Sequence, residues 1–141
     1  MKINVDVSGL SELTKQLGKL AENADLAMLE TMTLVVNDTR TEAVQGIQRG
    51  PATGQQRADG SRASAPGQYP MSDTGRLANS VEAKLPTASN MTAMVGTNVI
   101  YGRYLEFGTS RMAARPWLLP SFNKAKDGVE IKLKKAIEAR I

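Results

Sequence analysis

The feature that most constrains this chain is the interval from Gly50 to Met71, which is rich in Gly, Pro, Ser, Gln and Arg and has no apolar periodicity. A segment of this composition cannot bury enough apolar surface to form part of a core. Loops of this length inside a domain are uncommon, and they are usually functional or disordered until they bind a partner. The core must therefore come from the residues on either side, and the loop itself is a candidate for ordering against a neighbouring surface.

The chain before this loop contains one predicted strand and the start of a predicted helix. Ile3, Val5 and Val7 alternate with polar residues, which is the period of a half-buried strand. A helix is expected from near Leu10, and its leucines recur on one stripe: Leu10, Leu13, Leu17 and Leu20. Asn23 and Asp25, on either side of Ala24, favour an interruption of this helix.

A second helix is predicted from Asp25 to Gln48, where apolar residues recur at spacings of three and four. Its stripe consists of Leu29, Met32, Val36, Ala43 and Ile47. Gly50-Pro51 should end it, because Pro cannot extend the helical hydrogen bonding and Gly suits the C-terminal cap. The stripe fits a core-facing helix, and a helix that lines an interface between subunits would look the same.

The chain after the loop reads as a hairpin followed by helices. A short turn at residues 73–77 leads to a predicted strand over residues 81–85, and a second strand over residues 92–100 should pair with it. A helical turn at residues 101–107 should direct Tyr101, Leu105 and Tyr104 to the core. The last helix is expected to start at or after Pro116 and to reach the C-terminus, with an apolar stripe along it: Phe122, Ala125, Val129, Leu133 and Ile137.

Together these elements predict one α+β domain over residues 1–141, with a small antiparallel sheet of about three strands packed against two or three helices. Residues 50–71 form the extended loop within it. Aromatic residues make up only 4% of the chain, so the core must be largely aliphatic. Trp117 and Phe122 are the expected large anchors.

Composition excludes several kinds of chemistry. The chain has no Cys and no His, which removes disulfides, thiolate metal sites, His-based metal sites and the common nucleophile–His pairs. No Gly-Lys-Ser/Thr motif occurs, so nucleotide binding is not expected. No secretory signal pattern is present at the N-terminus, and no apolar run approaches the roughly 20 residues that span a bilayer.

The net charge of +4 is mild, but its distribution is uneven. Arginines flank or occupy the loop region, and only Asp59 and Asp73 oppose them there: Arg49, Arg57, Arg62 and Arg76. This pattern fits contact with nucleic acid or with an acidic neighbour, and it equally fits a solvated loop.

Three motifs follow one another in the second half of the chain. They are a Pro-Gly-x-x-Pro run at Pro66–Pro70, a Thr74-Gly-x-Leu77 with Ser80 shortly after, and Tyr104-Leu-Glu-Phe-Gly-Thr109 ahead of Arg115-Pro116. In order and spacing, this series resembles the tail-completion and head–tail joining proteins of long-tailed bacteriophages. The resemblance covers residues 64–122, which together with compatible helical flanks is most of the chain.

The resemblance implies a structural virion protein that forms a ring at the head–tail junction, in the phage neck or tail, after assembly in the host cytoplasm. It implies six copies, with twelve as the alternative, no cofactor and no membrane. The implied partners are the connector or stopper and the tail terminator or tail tube, with non-specific DNA contact in the lumen. The alternative function is a small basic adaptor that binds nucleic acid through the arginine-bearing loop.

Site residues follow from these motifs and from the loop. The candidate assembly interface consists of Arg57, Arg62, Tyr69, Arg76, Tyr104, Phe107 and Arg111. The candidate structural anchors are Glu106, Arg115, Trp117 and Phe122. No catalytic, metal or cofactor residue is predicted, and we expect the protein not to be an enzyme.

Two carboxylates deserve comparison with catalytic groups. Glu106 has no second carboxylate at a fixed spacing, so we expect it to bond to the backbone of the Gly-Thr-Ser turn that follows it or to pair with Arg111 or Arg115. Asp73-Thr74-Gly75 matches the active-site triplet of aspartic proteases, but a lone triplet beside a helix-like segment does not assign that activity.

Overall fold

The computed structural model describes residues 8–141, with side chains from residue 11 onward. Its longest element is α1, a helix of 42 residues over Ser8–Arg49, which corresponds to about 63 Å. The predicted strand at Ile3, Val5 and Val7 lies outside the described residues. As predicted, α1 ends at Gly50-Pro51.

The predicted interruption of this helix at Asn23-Ala24-Asp25 is wrong, because α1 is continuous through it. Asn and Asp cost only a few tenths of a kcal/mol relative to better helix formers, and neither removes a backbone donor as Pro does. Asn23 also has a tertiary partner, since its Nδ2 donates to the carbonyl oxygen of Arg140 at 2.9 Å.

The predicted single C-terminal helix is also wrong, since two helices occupy this region. They are α4 (Leu118–Lys126) and α5 (Val129–Glu138), and Gly128 between them has a φ of 74°. That backbone conformation is left-handed and suits glycine, so the helix cannot continue through it.

Both C-terminal helices lie antiparallel along α1. Ion pairs mark the register: Lys124 with Glu42 at 3.7 Å, Lys132 with Asp38 at 2.9 Å, and Arg140 with Glu30 at 2.7 Å. Each step toward the C-terminus in α4 and α5 moves toward the N-terminus in α1. These pairs are at least partly exposed and each contributes little stability, so the apolar packing between the helices holds them together.

Two short helices and a two-stranded sheet lie between the loop and α4. Helix α2 spans Arg76–Ser80 and helix α3 spans Ile100–Phe107. Between them, strands β1 (Glu82–Lys84) and β2 (Met94–Gly96) pair antiparallel, with Ala83 opposite Val95. The predicted hairpin is confirmed, although its strands are shorter than expected. Within residues 8–141 the sheet has two strands, and the helix-rich α+β class is confirmed.

The core lies where α1, α2, the segment after α2 and the start of α4 meet. Its buried members are Ala43, Ile47, Leu77, Ala78, Val81 and Trp117. The apolar stripe predicted for the second half of α1 therefore faces the core. Trp117 is only 2% exposed, and its Nε1–H donates to the carbonyl oxygen of Gly102 at 2.9 Å. The expected burial of Trp117 is confirmed.

Two predictions about aromatic side chains are wrong. Phe122 is 43% exposed and is not a buried anchor. Tyr101 and Tyr104 are exposed as well, because α3 turns Gly102 toward the core. A Cβ at Gly102 would lie 2.7 Å from Thr97 and 3.1 Å from Leu77, so only glycine permits this close approach. Leu105, on the same side of α3, packs against the core as predicted.

The loop over residues 50–71 is not structureless in the subunit. Its first part forms a hairpin, in which the Gly54 amide donates to Ala63 O at 2.8 Å and the Ala63 amide donates to Gln55 O at 2.9 Å. At the hairpin tip, the hydroxyl and amide of Ser61 donate to Asp59 and lower the pKa of that exposed carboxyl. Polar backbone and side-chain bonding, which apolar periodicity does not report, orders this segment.

The second part of the loop is attached to the helices. The Gly67 amide donates to Ala114 O at 2.9 Å, and the Ser72 amide donates to Ile47 O at 3.0 Å. The Tyr69 ring lies against Gly46, where a Cβ would clash with it, and its hydroxyl is 3.0 Å from Ser121 Oγ. The loop therefore covers the C-terminal end of α1.

The core arrangement predicts a large effect of removing the indole of Trp117. Trp117→Ala should lower the free energy of unfolding by about 3–5 kcal/mol, because it opens a cavity and leaves Gly102 O without its donor. Trp117→Phe should cost less, since it retains most of the apolar volume. Urea unfolding followed by far-UV circular dichroism measures both. An unchanged midpoint for Trp117→Ala would contradict the placement of this side chain in the core.

Candidate functional site

An apolar groove opens on the subunit surface between α1, β2, α3 and the start of α4. Its volume is about 610 Å³, within the roughly 300–1,000 Å³ of pockets that enclose drug-sized ligands. Its lining is mostly aliphatic and aromatic and includes Val36, Val95, Val99, Phe107, Leu118 and Phe122. We call this surface the α3–α4 groove.

Large side chains on the groove are exposed to solvent. Phe107 is 76% exposed and Leu119 is 59% exposed, and Phe122 is also open to solvent. Single exposed apolar side chains are ordinary on a protein surface, but several around one concave site are typical of an interaction site. The groove is thus a candidate for binding an apolar partner surface.

The Glu106 side chain caps the N-terminus of α4, next to the α3–α4 groove. One carboxylate oxygen, Oε2, accepts hydrogen bonds from the amides of Trp117 at 2.7 Å and Leu118 at 2.8 Å, and Oε1 accepts from the amide of Leu119 at 3.0 Å. These amides have no partner inside the helix. A negative charge near the N-terminus of α4 also interacts favourably with the positive end of the helix dipole. Glu106 therefore caps the start of α4, and its partners are neither of the two expected ones, the following turn or an arginine.

Arg115 links the loop to α3. Its Nε donates to Ser64 O at 3.1 Å, and its amide donates to Leu105 O at 2.7 Å. Ser64 itself is buried. The Arg115-Pro116 pair therefore fixes the chain between α3 and α4 and brings residue 64 of the loop against it.

The residues predicted as an assembly interface differ in what they contact within the subunit. Arg57 lies 3.8 Å from Asp73, and Arg62 Nη1 donates to Gly54 O at 3.3 Å, so both take part in the loop's own structure. Arg76 and Arg111 are exposed on separate segments, α2 and the turn before Arg115.

The three aromatic members of that predicted set divide in the same way. Tyr69 is partly buried against α1 and α4 and serves the subunit's own packing. Tyr104 and Phe107 are exposed on α3, and Phe107 also lines the α3–α4 groove. Sequence reasoning missed Val95, Val99 and Leu119, because these groove residues come from different segments and share no motif.

The first turns of α1 form a second exposed apolar surface. Every side chain from Ser11 to Glu22 is exposed, including Leu13, Leu17 and Leu20. We call residues 11–22 the α1 arm. Its leucines were visible as a stripe in the sequence, but periodicity alone does not tell whether a stripe faces the subunit's own core or another molecule.

The acidic side chains of the described residues are dispersed or already bonded. Among them, no group of three acidic, His or Cys side chains could hold a metal ion. The Asp73 side chain is 80% exposed and pairs with Arg57, and the Glu106 carboxylate is occupied by three amides. Within residues 8–141, no helix is both long and apolar enough to cross a membrane.

The capping geometry predicts a measurable role for the charge on Glu106. Glu106→Gln should lower the free energy of unfolding by about 0.5–2 kcal/mol, because an amide group has one acceptor oxygen for three backbone donors. Glu130→Gln is a matched control, since Glu130 is exposed in the first turn of α5. Thermal or urea unfolding compares the two variants. Equal effects would mean that Glu106 acts only through the helix dipole.

Comparison with known proteins gives the family. No curated protein and no solved structure shows significant similarity to the chain. A family model described as "Bacteriophage HK97-gp10, putative tail-component" matches residues 11–108. The match begins at the α1 arm and ends just after α3, so it includes most of the α3–α4 groove. It covers more than half of the chain, which therefore belongs to the HK97-gp10-like family of bacteriophage proteins.

Proposed function

We propose that this protein is a structural component of a phage virion that forms a homo-oligomeric ring at the head–tail junction. There it completes the tail and joins it to the connector or stopper on the capsid side. The ring has six copies in this proposal, with twelve as the alternative. Its place is the neck or tail of the particle, and assembly takes place in the host cytoplasm. Membership of a tail-component family is the observation that carries the proposal.

The surface area of the chain supports an assembling subunit. The accessible surface is 9992 Å² for a chain of 15.2 kDa, whereas a compact monomer of that mass exposes about 7,100 Å². A stable interface removes roughly 800 Å² from each partner, and a ring subunit has two such interfaces. The excess of about 2,900 Å² is larger than the roughly 1,600 Å² that two such neighbours would cover, so the subunit has enough surface for both contacts.

The chemistry of the described residues supports a role without catalysis. Glu106, the carboxylate nearest to the groove, already accepts hydrogen bonds from three backbone amides. These three bonds use most of the roughly four acceptor positions of a carboxylate, which supports a role for Glu106 in the fold. The groove thus offers apolar contact area, and its one carboxylate serves the fold.

Exposed arginines supply the second part of the proposal, a non-specific contact with DNA in the lumen. Arg76 and Arg111 are exposed and have no acidic partner in an ion pair among the described residues. Such side chains bind phosphates without reading sequence. A basic adaptor that binds nucleic acid as a monomer is the competing function, and it needs these same residues.

Native mass spectrometry and negative-stain imaging of the purified protein separate the two functions. We expect a closed ring in the absence of nucleic acid, and at most weak, salt-sensitive binding of duplex DNA. A monomer that binds duplex DNA tightly, with an affinity that falls steeply with salt, would contradict the ring and support the adaptor.

Complementation tests the structural role in the particle. In a phage that lacks this protein, variants at Glu106, Asp73 and Tyr101 should restore joined particles in proportion to the amount of protein that folds and assembles. If Glu106→Gln forms rings and enters particles normally but yields no infectious phage, the purely structural role is wrong.

A further inference from the structure

The α1 arm projects beyond the rest of the described subunit. The helices that cover α1 end near its residue 23, where Asn23 contacts the carbonyl of Arg140, the penultimate residue of the chain. Residues 8–22 continue past this point for about 22 Å. Every side chain from Ser11 to Glu22 is exposed, so the described chain does not cover the arm.

The arm is amphipathic. Leu13, Leu17 and Leu20 are 49%, 57% and 50% exposed, and their spacing places them on one face of the helix. At 100° per residue, Lys15, Lys19 and Glu22 lie on the opposite face. A surface helix normally buries its apolar stripe against its own domain, whereas no part of the chain that the structure describes covers this stripe.

The α3–α4 groove has the complementary character, since it is concave, apolar and exposed. Recognition of a helix by a groove uses apolar anchors at positions i, i+4 and i+7. Leu13, Leu17 and Leu20 have this spacing. Phe107 and Leu119 stand exposed on the groove, where they would flank such a helix.

The arm cannot reach the groove of its own subunit. Val36 lines the groove and lies on α1 itself, so Leu20 is held about 24 Å away from it along one continuous helix. The two surfaces therefore meet only between copies. Such a contact is heterologous, head to tail, and closes into a ring when the rotation between subunits allows it.

We propose that the leucine stripe of the α1 arm of one subunit binds in the α3–α4 groove of the next. The proposal rests on the ring function above and names the surfaces that build the ring. Both halves of the contact are present on one chain, and the subunit exposes roughly two fifths more area than a compact monomer of its mass. A second copy is therefore the occupant of the groove.

Two variants remove one half of the contact each. Leu17→Lys places a charge in the stripe and keeps a good helix former, and Phe107→Lys places the same charge on the groove. Both side chains are at least half exposed, so the urea midpoint should not change appreciably. Gly18→Lys and Tyr104→Lys are the matched controls, because they add the same residue beside each site but outside the stripe and the groove.

Native mass spectrometry should show rings for the wild type and both controls. For Leu17→Lys and for Phe107→Lys alone it should show monomers, with at least a tenfold rise in the concentration needed for assembly. An equal mixture of the two should give one-to-one dimers and nothing larger. In that dimer the intact arm of Phe107→Lys occupies the intact groove of Leu17→Lys, and the other two surfaces are blocked.

Other outcomes overturn the proposal in distinguishable ways. If both variants still form rings, the interface lies elsewhere and the ring function stands. If only Leu17→Lys fails to assemble and the mixture gives no dimer, the arms bind each other or another protein. If the wild type itself forms no ring at any concentration tested, this interface and the proposed ring function both fail.

Discussion

The junction between α3 and α4 is the contact on which the rest of the subunit depends. Trp117 fills the core and donates its indole N–H to Gly102 O, while Glu106 caps α4 through three amides. These bonds join a helix that ends at Phe107 to one that begins at Leu118, across a segment with little regular structure. The junction fixes the position of α4 relative to α3, and so the walls of the α3–α4 groove. Because α4 and α5 then pack along α1, it also determines which part of α1 they cover.

Sequence patterns predicted the elements that local physical chemistry determines. The end of α1 at Gly50-Pro51 follows from backbone geometry, and the burial of Trp117 follows from a core with few aromatics. The predicted break in α1 at Asn23 was wrong, because Asn, although a modest helix former, is tolerated where tertiary contacts stabilise the helix. The break at Gly128 was missed because the apolar stripe continues through it, whereas the backbone does not.

The site was less predictable than the fold, for a physical reason. The groove combines residues from α1, β2, α3 and α4, so no window of sequence contains it. Phe122 was expected in the core from its size, but its position on α4 leaves it on the surface, near Phe107 and Leu119. Glu106 was expected to bond to the following turn or to an arginine, but its three partners lie eleven to thirteen residues further on, beyond any local pattern.

The central claim is that the arm and the groove are covered only when subunits assemble. Hydrogen exchange of the wild-type protein, measured by mass spectrometry in the monomer and in the ring, tests it most directly. The account predicts that amides of residues 11–22 and of the groove segments 95–107 and 118–122 exchange more slowly in the ring, while the buried middle of α1 changes little. Equal exchange of the arm in both states would contradict it.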